Sequence, residues 1–268
     1  MTSRASSPDL QAIKQVARWI SNAKRVLFIT GAGISADSGL PTYRGVGGLY
    51  NNEGTAEGIP IEVALSGEVF RRRPELTWKY ILEIERACRG ATPNRGHEVI
   101  AALEERQGLE VWTLTQNVDG LHHKAGSRNL IEIHGSVVTL ICTKCDWREQ
   151  VTDYAFIEAN HDADALPPTC NECGSVIRPD IVLFNEQLPE KASFELERQL
   201  ERGFDLVLSI GTTSAFPYIA WPFLDASRSG KYTVEINPGV TGVSQAALIR
   251  FPHGAAETLG ALHDELTK

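Results

Sequence analysis

The sequence predicts an α/β fold, a Rossmann-like doubly wound parallel sheet with a smaller second domain, and three observations carry that prediction. Short apolar runs rich in β-branched residues end on glycine or small polar residues, as buried parallel strands do: Arg25 to Thr30, Glu110 to Thr115, Phe204 to Ile210 and Tyr232 to Ile236. Helix-like stretches separate these runs, which is the alternation of a doubly wound sheet with its ligand crevice beyond the carboxyl ends of the strands. Two stretches break the alternation, Gly45 to Ala91 and Val137 to Pro179, and the second holds four of the five cysteines.

In chain order, Ser7-Pro8 offers an N-cap hydroxyl and a proline at the first helical position, and Leu10, Ile13, Val16, Ala17 and Ile20 then recur on one face. A helix over Asp9 to Ser21 follows from that spacing. The first strand closes on Gly31-Ala-Gly-Ile-Ser35. Beyond it, Ala36 to Arg44 is too rich in small residues for an ordinary crossover helix and reads as a mobile loop covering a cofactor. Pro74 to Cys88 reads as a helix, Thr92-Pro93 opens another, and Leu130 to Ile133 is a short alternating strand that delivers His134. The expected organisation is a dinucleotide-binding domain from 1–44, 94–135 and 180–268, with a helical insertion at 45–93 and a zinc module at 136–179.

The 268 residues, 42% hydrophobic and 22% charged, suffice for one large core and a smaller one. A net charge of -8 argues against direct nucleic-acid binding or attachment to an anionic membrane, both of which need clustered cations. No apolar run approaches the roughly 20 residues of a membrane span, and Met1 to Leu10 lacks the apolar core of a secretory signal. A cytoplasmic monomer is expected. An odd cysteine count then favours metal binding over disulfides.

Cys142-x-x-Cys145 and Cys170-x-x-Cys173, with 24 residues between the pairs, can bring four thiolates into one tetrahedron. Four cysteines leave no open coordination position, so the zinc should be structural. The intervening Asp153 to Pro168 reads as a loop, and two cations between the outer cysteines, Lys144 and Arg148, face seven carboxylates, which disfavours phosphate binding. Cys88 reads as a core residue. The Gly31 turn either packs or lets a pyrophosphate approach the backbone, with Arg44 as a fork suited to phosphate. Gln116-Asn-Val-Asp119 is either an Asx-rich turn or a set of donors and acceptors for a ribose and a carboxamide. His134 is either structural or a general base in the crevice. His122 and His123, beside Lys124, read as solvated.

Together, Gly31-Ala-Gly-Ile-Ser-Ala-Asp-Ser-Gly-Leu-Pro-Thr-Tyr-Arg44, Thr115-Gln-Asn-Val-Asp-Gly-Leu-His122, His134-Gly135, the paired cysteines, Gly211-Thr-Thr213 and Ile236-Asn-Pro238 resemble the sirtuin family in that order, from Val26 to about Ala256, and the small size resembles its compact bacterial members. The resemblance implies an NAD-dependent protein-lysine deacylase. In sirtuins the acyl-lysine carbonyl oxygen displaces nicotinamide from NAD, and a histidine then deprotonates the ribose. His134 matches that base, with Asn117 and Asp119 orienting the nicotinamide ribose and carboxamide. By the same resemblance Ser35, Gln116 and Ile34 belong to that pocket, Gly31, Ala32 and Arg44 hold the pyrophosphate region, and Tyr43 is the shielding ring over the cofactor, in place of the family's common phenylalanine. Gly211, Thr212 and Thr213 match the phosphate-binding turn, Asn237 and Pro238 the adenosine-ribose segment, and Ala256 closes the cofactor set. Val182 and Phe184 match the substrate strand, with Asn185 in place of a glycine, and Pro217 comes one residue early.

Sirtuins that prefer succinyl or malonyl groups carry a Tyr-x-x-Arg pair on the helix that here runs from Pro74. In this chain Tyr80 is followed by Glu83, and the next register gives Ile81 and Ile84, so the expected pocket is apolar and desuccinylation weak. The expected partner is the acylated lysine of a protein. Other readings are an ADP-ribosyltransferase on the same scaffold and a non-catalytic NAD-binding protein. An NAD-dependent dehydrogenase fits less well, because the full glycine fingerprint and its distal acidic residue are missing.

Overall fold

The computed structural model describes residues 7–42, 55–160 and 166–268. Among these, the strands in chain order are β1 Arg25–Thr30, β2 Glu110–Thr115, β3 Leu130–Glu132, β4 Gly135–Cys142, β5 Arg148–Gln150, β6 Ile177–Ile181, β7 Leu206–Ile210, β8 Tyr232–Ile236 and β9 Ile249–Phe251. The helices are α1 Leu10–Asn22, α2 Ala32–Ser35, α3 Ile61–Ala64, α4 Gly67–Arg72, α5 Pro74–Cys88, α6 Arg95–Glu104, α7 Leu121–Ala125, α8 Ala155–Asn160, α9 Glu190–Glu201, α10 Pro217–Arg228 and α11 Ala255–Leu266.

Six strands form a parallel sheet in the order β3-β2-β1-β7-β8-β9. Alternation along β1 explains why it reads as continuously apolar: Val26 and Phe28 enter one core with α1, α6 and α11, while Leu27 and Ile29 enter another with α9 and α10. The chain departs from β1 toward β2 on one side and pairs with β7 on the other. That reversal of strand order opens a crevice at the carboxyl ends of β1, β2 and β7.

The remaining strands form an antiparallel sheet, β5-β4-β6. A third apolar cluster joins α3 and α5 to this sheet, with Trp78 and Leu140 fully buried at its centre. The Trp78 indole N–H donates to the Ile177 carbonyl at 2.9 Å, which satisfies its polar atom inside the cluster.

Three local expectations are corrected, and a fourth segment is described in part. The first helix is capped by Asp9, whose carboxylate accepts from the Gln11 amide at 2.8 Å, so Ser7 and Pro8 lie before it. The helix expected from Thr92-Pro93 begins at Arg95, because Asn94 and His97 form a reciprocal capping box. The expected loop Asp153 to Pro168 contains α8, held by Asp153 at its start and by Ile157 in the third cluster. The start of the expected covering loop is ordered as a 3-10 turn, Ala36–Ser38, with Gly39 in the left-handed region. Its end, including Tyr43 and Arg44, lies outside the described residues. No described helix is long and apolar enough to cross a membrane.

Candidate active site

At the carboxyl ends of the sheet the turns after β1, β2, β7 and β8 are tied to one another. The Gly31 amide donates to Ile210 at 3.1 Å, the Gly33 amide to Gly211 at 2.8 Å and the Gly211 amide to Ile236 at 3.0 Å. Gln116 donates through its side-chain amide to Thr212 Oγ1 at 2.7 Å, and Asn237 donates to the Thr212 carbonyl at 3.0 Å. Thr212 is buried at this junction, whereas Thr213 and Pro238 are exposed beside it. The Ala256 amide, in the first turn of α11, donates to Asp37 at 3.0 Å.

One step deeper, Asn117 Nδ2 donates to the Gly31 carbonyl and to Ser35 Oγ, each at 3.1 Å, and Ser35 donates to Asp119 Oδ2 at 2.7 Å. The other Asp119 oxygen accepts from the Leu121 amide at 2.9 Å. This trio lines a cavity with Ala32, Ile84 and Cys88. Ile34, expected in the same pocket, sends its side chain into the first core instead, because the turn of α2 puts it on the face opposite the cavity.

His134 follows β3, and both of its ring nitrogens are engaged. Nδ1 faces the Gln116 carbonyl at 3.1 Å, which fixes the proton there; Nε2 is then the acceptor for the Tyr218 hydroxyl at 2.8 Å. The ring is edge-on to Phe216, with centroids 5.8 Å apart. Burial pushes the imidazole below the usual histidine range, and the Gln116 carbonyl opposes part of that shift. The Val182 amide donates to the His134 carbonyl at 2.9 Å, so the expected substrate strand runs against the histidine itself. Phe184 is held by Leu65 and Gly67, and Asn185 adopts φ 64°. Asparagine is among the few residues that enter this region readily, which explains how it stands where the resemblance expects glycine.

Several residues here were not singled out in the sequence. Tyr218 carries no signal of its own beyond lying after Pro217. Gly33 shares a short motif with Gly31 but becomes meaningful only once Gly211 is seen against it. His122 is a correction: expected in solvent, it is buried, with Nε2 at 3.0 Å from Thr30 Oγ1, and burial holds its pKa down at about 3. Thr30 donates a hydroxyl hydrogen bond to Thr115 Oγ1, which also accepts from the Asn117 amide. His123 is the exposed neighbour, paired with Glu132 at 3.2 Å. A five-residue helix is too short for periodicity to reveal which histidine turns inward. Cys88 packs at the edge of the third cluster and also borders the cavity; burial pushes its thiol up to about 12, which keeps it a poor nucleophile.

The four cysteines fit a tetrahedral zinc. All are free of disulfides, and their sulfurs lie within 4.8 Å of one another. Cys142 and Cys173 are 3.5 Å apart and Cys145 and Cys170 are 3.7 Å apart. Zn–S bonds of about 2.3 Å imply tetrahedral edges near those lengths. The Lys144 and Cys145 amides turn toward Cys142 Sγ at 3.3 and 3.4 Å, as they do around a ligating thiolate.

The Sir2 family model matches residues 31–216. The chain belongs to the Sir2 family. A Pseudomonas aeruginosa protein named NAD-dependent protein deacylase 2 is 49% identical to it, over 92% of this chain and 94% of the relative. A solved Sir2 homolog–NAD complex matches with a TM-score of 0.81 and 32% identity, covering 95% of this sirtuin and 93% of the other chain. A Sir2–p53 peptide–NAD+ complex matches at 0.79 and 29% identity, covering 94% and 98%.

Proposed function

We propose that this sirtuin is an NAD-dependent protein-lysine deacylase that releases nicotinamide and passes the acyl group to ADP-ribose. The observation that carries the reading is His134, a half-buried neutral imidazole whose Nε2 accepts from Tyr218, flanked by the Asn117–Ser35–Asp119 network and by the Val182–Phe184 segment. Named NAD-dependent deacylases at this level of identity support it, as does a relative solved with a peptide and NAD+.

NAD, when bound, supplies an ADP-ribosyl group with nicotinamide as its leaving group. Gly31, Ala32, Tyr43, Arg44, Gly211, Thr212, Thr213, Asn237, Pro238 and Ala256 are assigned to holding it along the carboxyl edge. Asn117 and Asp119 orient the reacting end, Ser35 bridges those two side chains, and Gln116 assists in the same pocket from its bond to Thr212. His134 accepts the proton of a ribose hydroxyl, which its Nδ1–Gln116 bond allows only at Nε2. Val182 and Phe184 align the substrate peptide by strand pairing. Cys142, Cys145, Cys170 and Cys173 hold structural zinc away from this chemistry.

The acyl pocket takes neutral chains. On α5, Ile81 and Ile84 are apolar and the Tyr80 hydroxyl is held by Glu57, itself paired with Lys79, so none of the three offers a distal carboxylate a partner. The protein is assigned to the cytoplasm as a monomer acting on acylated proteins, and the net charge of -8 disfavours nucleic acid as its substrate.

The test incubates the protein and its His134→Ala variant with NAD and acetyl-, myristoyl- or succinyl-lysine peptides, following nicotinamide and peptide mass together. Acyl loss that tracks nicotinamide, fails in the variant and is weak for succinyl supports the reading. Nicotinamide release with intact peptides and ADP-ribose on protein replaces it with a transferase.

A further inference from the structure

The Tyr218 hydroxyl stands where the lone pair of His134 points. It donates to Nε2 at 2.8 Å, while the Gln116 carbonyl occupies Nδ1, so the imidazole has no free nitrogen. The position of the phenol is fixed by its ring. Tyr218 stacks on Phe216 with centroids 5.4 Å apart and planes 13° from parallel, and both rings meet His134 edge-on at 86° and 84°. Phe216 caps α10, and Tyr218 sits in its first turn, directly after Pro217. A swing of the phenol away from His134 would therefore break a stack.

We propose that Tyr218 is a catalytic proton relay between the hydroxyl that must be deprotonated and His134, an assignment that rests on the deacylase reading above. A phenol oxygen that donates one hydrogen bond keeps lone pairs free to accept another. The step is a double transfer. The incoming ribose hydroxyl gives its proton to Tyr218 Oη as the phenol proton moves to His134 Nε2. The products are an alkoxide, a regenerated neutral phenol and an imidazolium, so no oxidant or further reactant is needed. Burial raises the Tyr218 phenol above its usual range, which keeps it protonated in the resting protein.

Tyr218→Phe tests this, since it removes the hydroxyl and keeps the stacked ring. The first readout needs no cosubstrate: nitrogen NMR of the histidines in the ligand-free protein. Loss of a donor that only the neutral imidazole can accept should shift the Nε2 resonance and raise the His134 pKa. The second is the split between two rates. Deacylation should fall about 10- to 100-fold, in line with loss of one proton-transfer group, and nicotinamide exchange should fall by less, because it precedes the proton transfer. Tyr218→Leu, which also removes the stack, should lower both. An unchanged His134 resonance in Tyr218→Phe would show that the hydroxyl is not on Nε2 and overturn the proposal. A shifted resonance with deacylation equal to or above that of the parent protein overturns the relay and makes the phenol a plug on the base. If the parent protein releases no nicotinamide with any acyl peptide, the deacylase reading fails and the relay with it.

Discussion

Gly33 and Gly211 meet backbone to backbone. The Gly33 amide donates to the Gly211 carbonyl at 2.8 Å, and a Cβ on Gly33 would lie 2.6 Å from Gly211 Cα, while one on Gly211 would lie 2.5 Å from the Gly33 carbonyl carbon. Only a pair without side chains lets the turns after β1 and β7 close on each other.

Gly33→Ala should therefore destabilise the fold by roughly 1–3 kcal/mol, the usual cost of overpacking. Gly211→Ala should cost more, because φ 59° adds a left-handed penalty of about 1–2 kcal/mol. Denaturant unfolding of the two variants measures both, and a Gly211→Ala midpoint at or above that of Gly33→Ala contradicts the ranking.

Zinc removal should act on stability before it touches chemistry. Cys142 and Cys170 are buried in the same cluster as Trp78 and Leu140, so chelation should loosen the β5-β4-β6 sheet and expose that tryptophan. Metal analysis of the purified protein and tryptophan emission during chelator titration report this directly. Unchanged emission after complete metal loss would mean the sheet stands without its ion.

Activity should hold at mildly acidic pH. His134 serves as a base only when neutral, and burial places its pKa below the ordinary 6.5. The acid limb of kcat/KM for deacylation should thus have its midpoint below pH 6.5. A midpoint above that value removes the neutral resting imidazole from the account.

Stability should decline over a wider acid range, and His122 is the reason. In the unfolded chain it binds a proton near pH 6.5, but in the fold it does so only at about 3. Between those values the unfolded state holds more protons, so stability is full above pH 6.5 and is lost progressively down to about 3. His97, edge-on to it at 4.9 Å, is shifted down by burial in the same direction. Replacing His122 by leucine should flatten this pH dependence at a cost of about 0.5–1.5 kcal/mol for the lost Thr30 bond. Urea unfolding at pH 5 and pH 7 of the protein and the variant checks the sign.

What the sequence disclosed follows from how local each signal is. The bounds of β1, β2, β8 and α5 are visible because apolar runs and a proline at Pro74 mark them within one element. The cysteine pairs were legible because ligand spacing is written along the chain. The Tyr218–His134 bond joins residues 84 positions apart and depends on where α10 starts, which no local pattern encodes. His122 was misread for a related reason: its inward turn is set by Thr30, 92 residues away. The cap at Asp9 and the box at Asn94 show a milder failure, in which several capping residues compete within three positions and the side chain that reaches the amide decides.

One of the two neighbours of β1 in the finished sheet is β7, and the Arg25 amide finds its Asp205 partner 180 residues further along the chain. During synthesis one edge of this largely apolar strand must therefore wait until most of the polypeptide has emerged. For that interval β1 is an open template for pairing with another chain, so newly made protein should depend more on holding chaperones, and aggregate more readily on rapid dilution from denaturant, than its finished stability suggests.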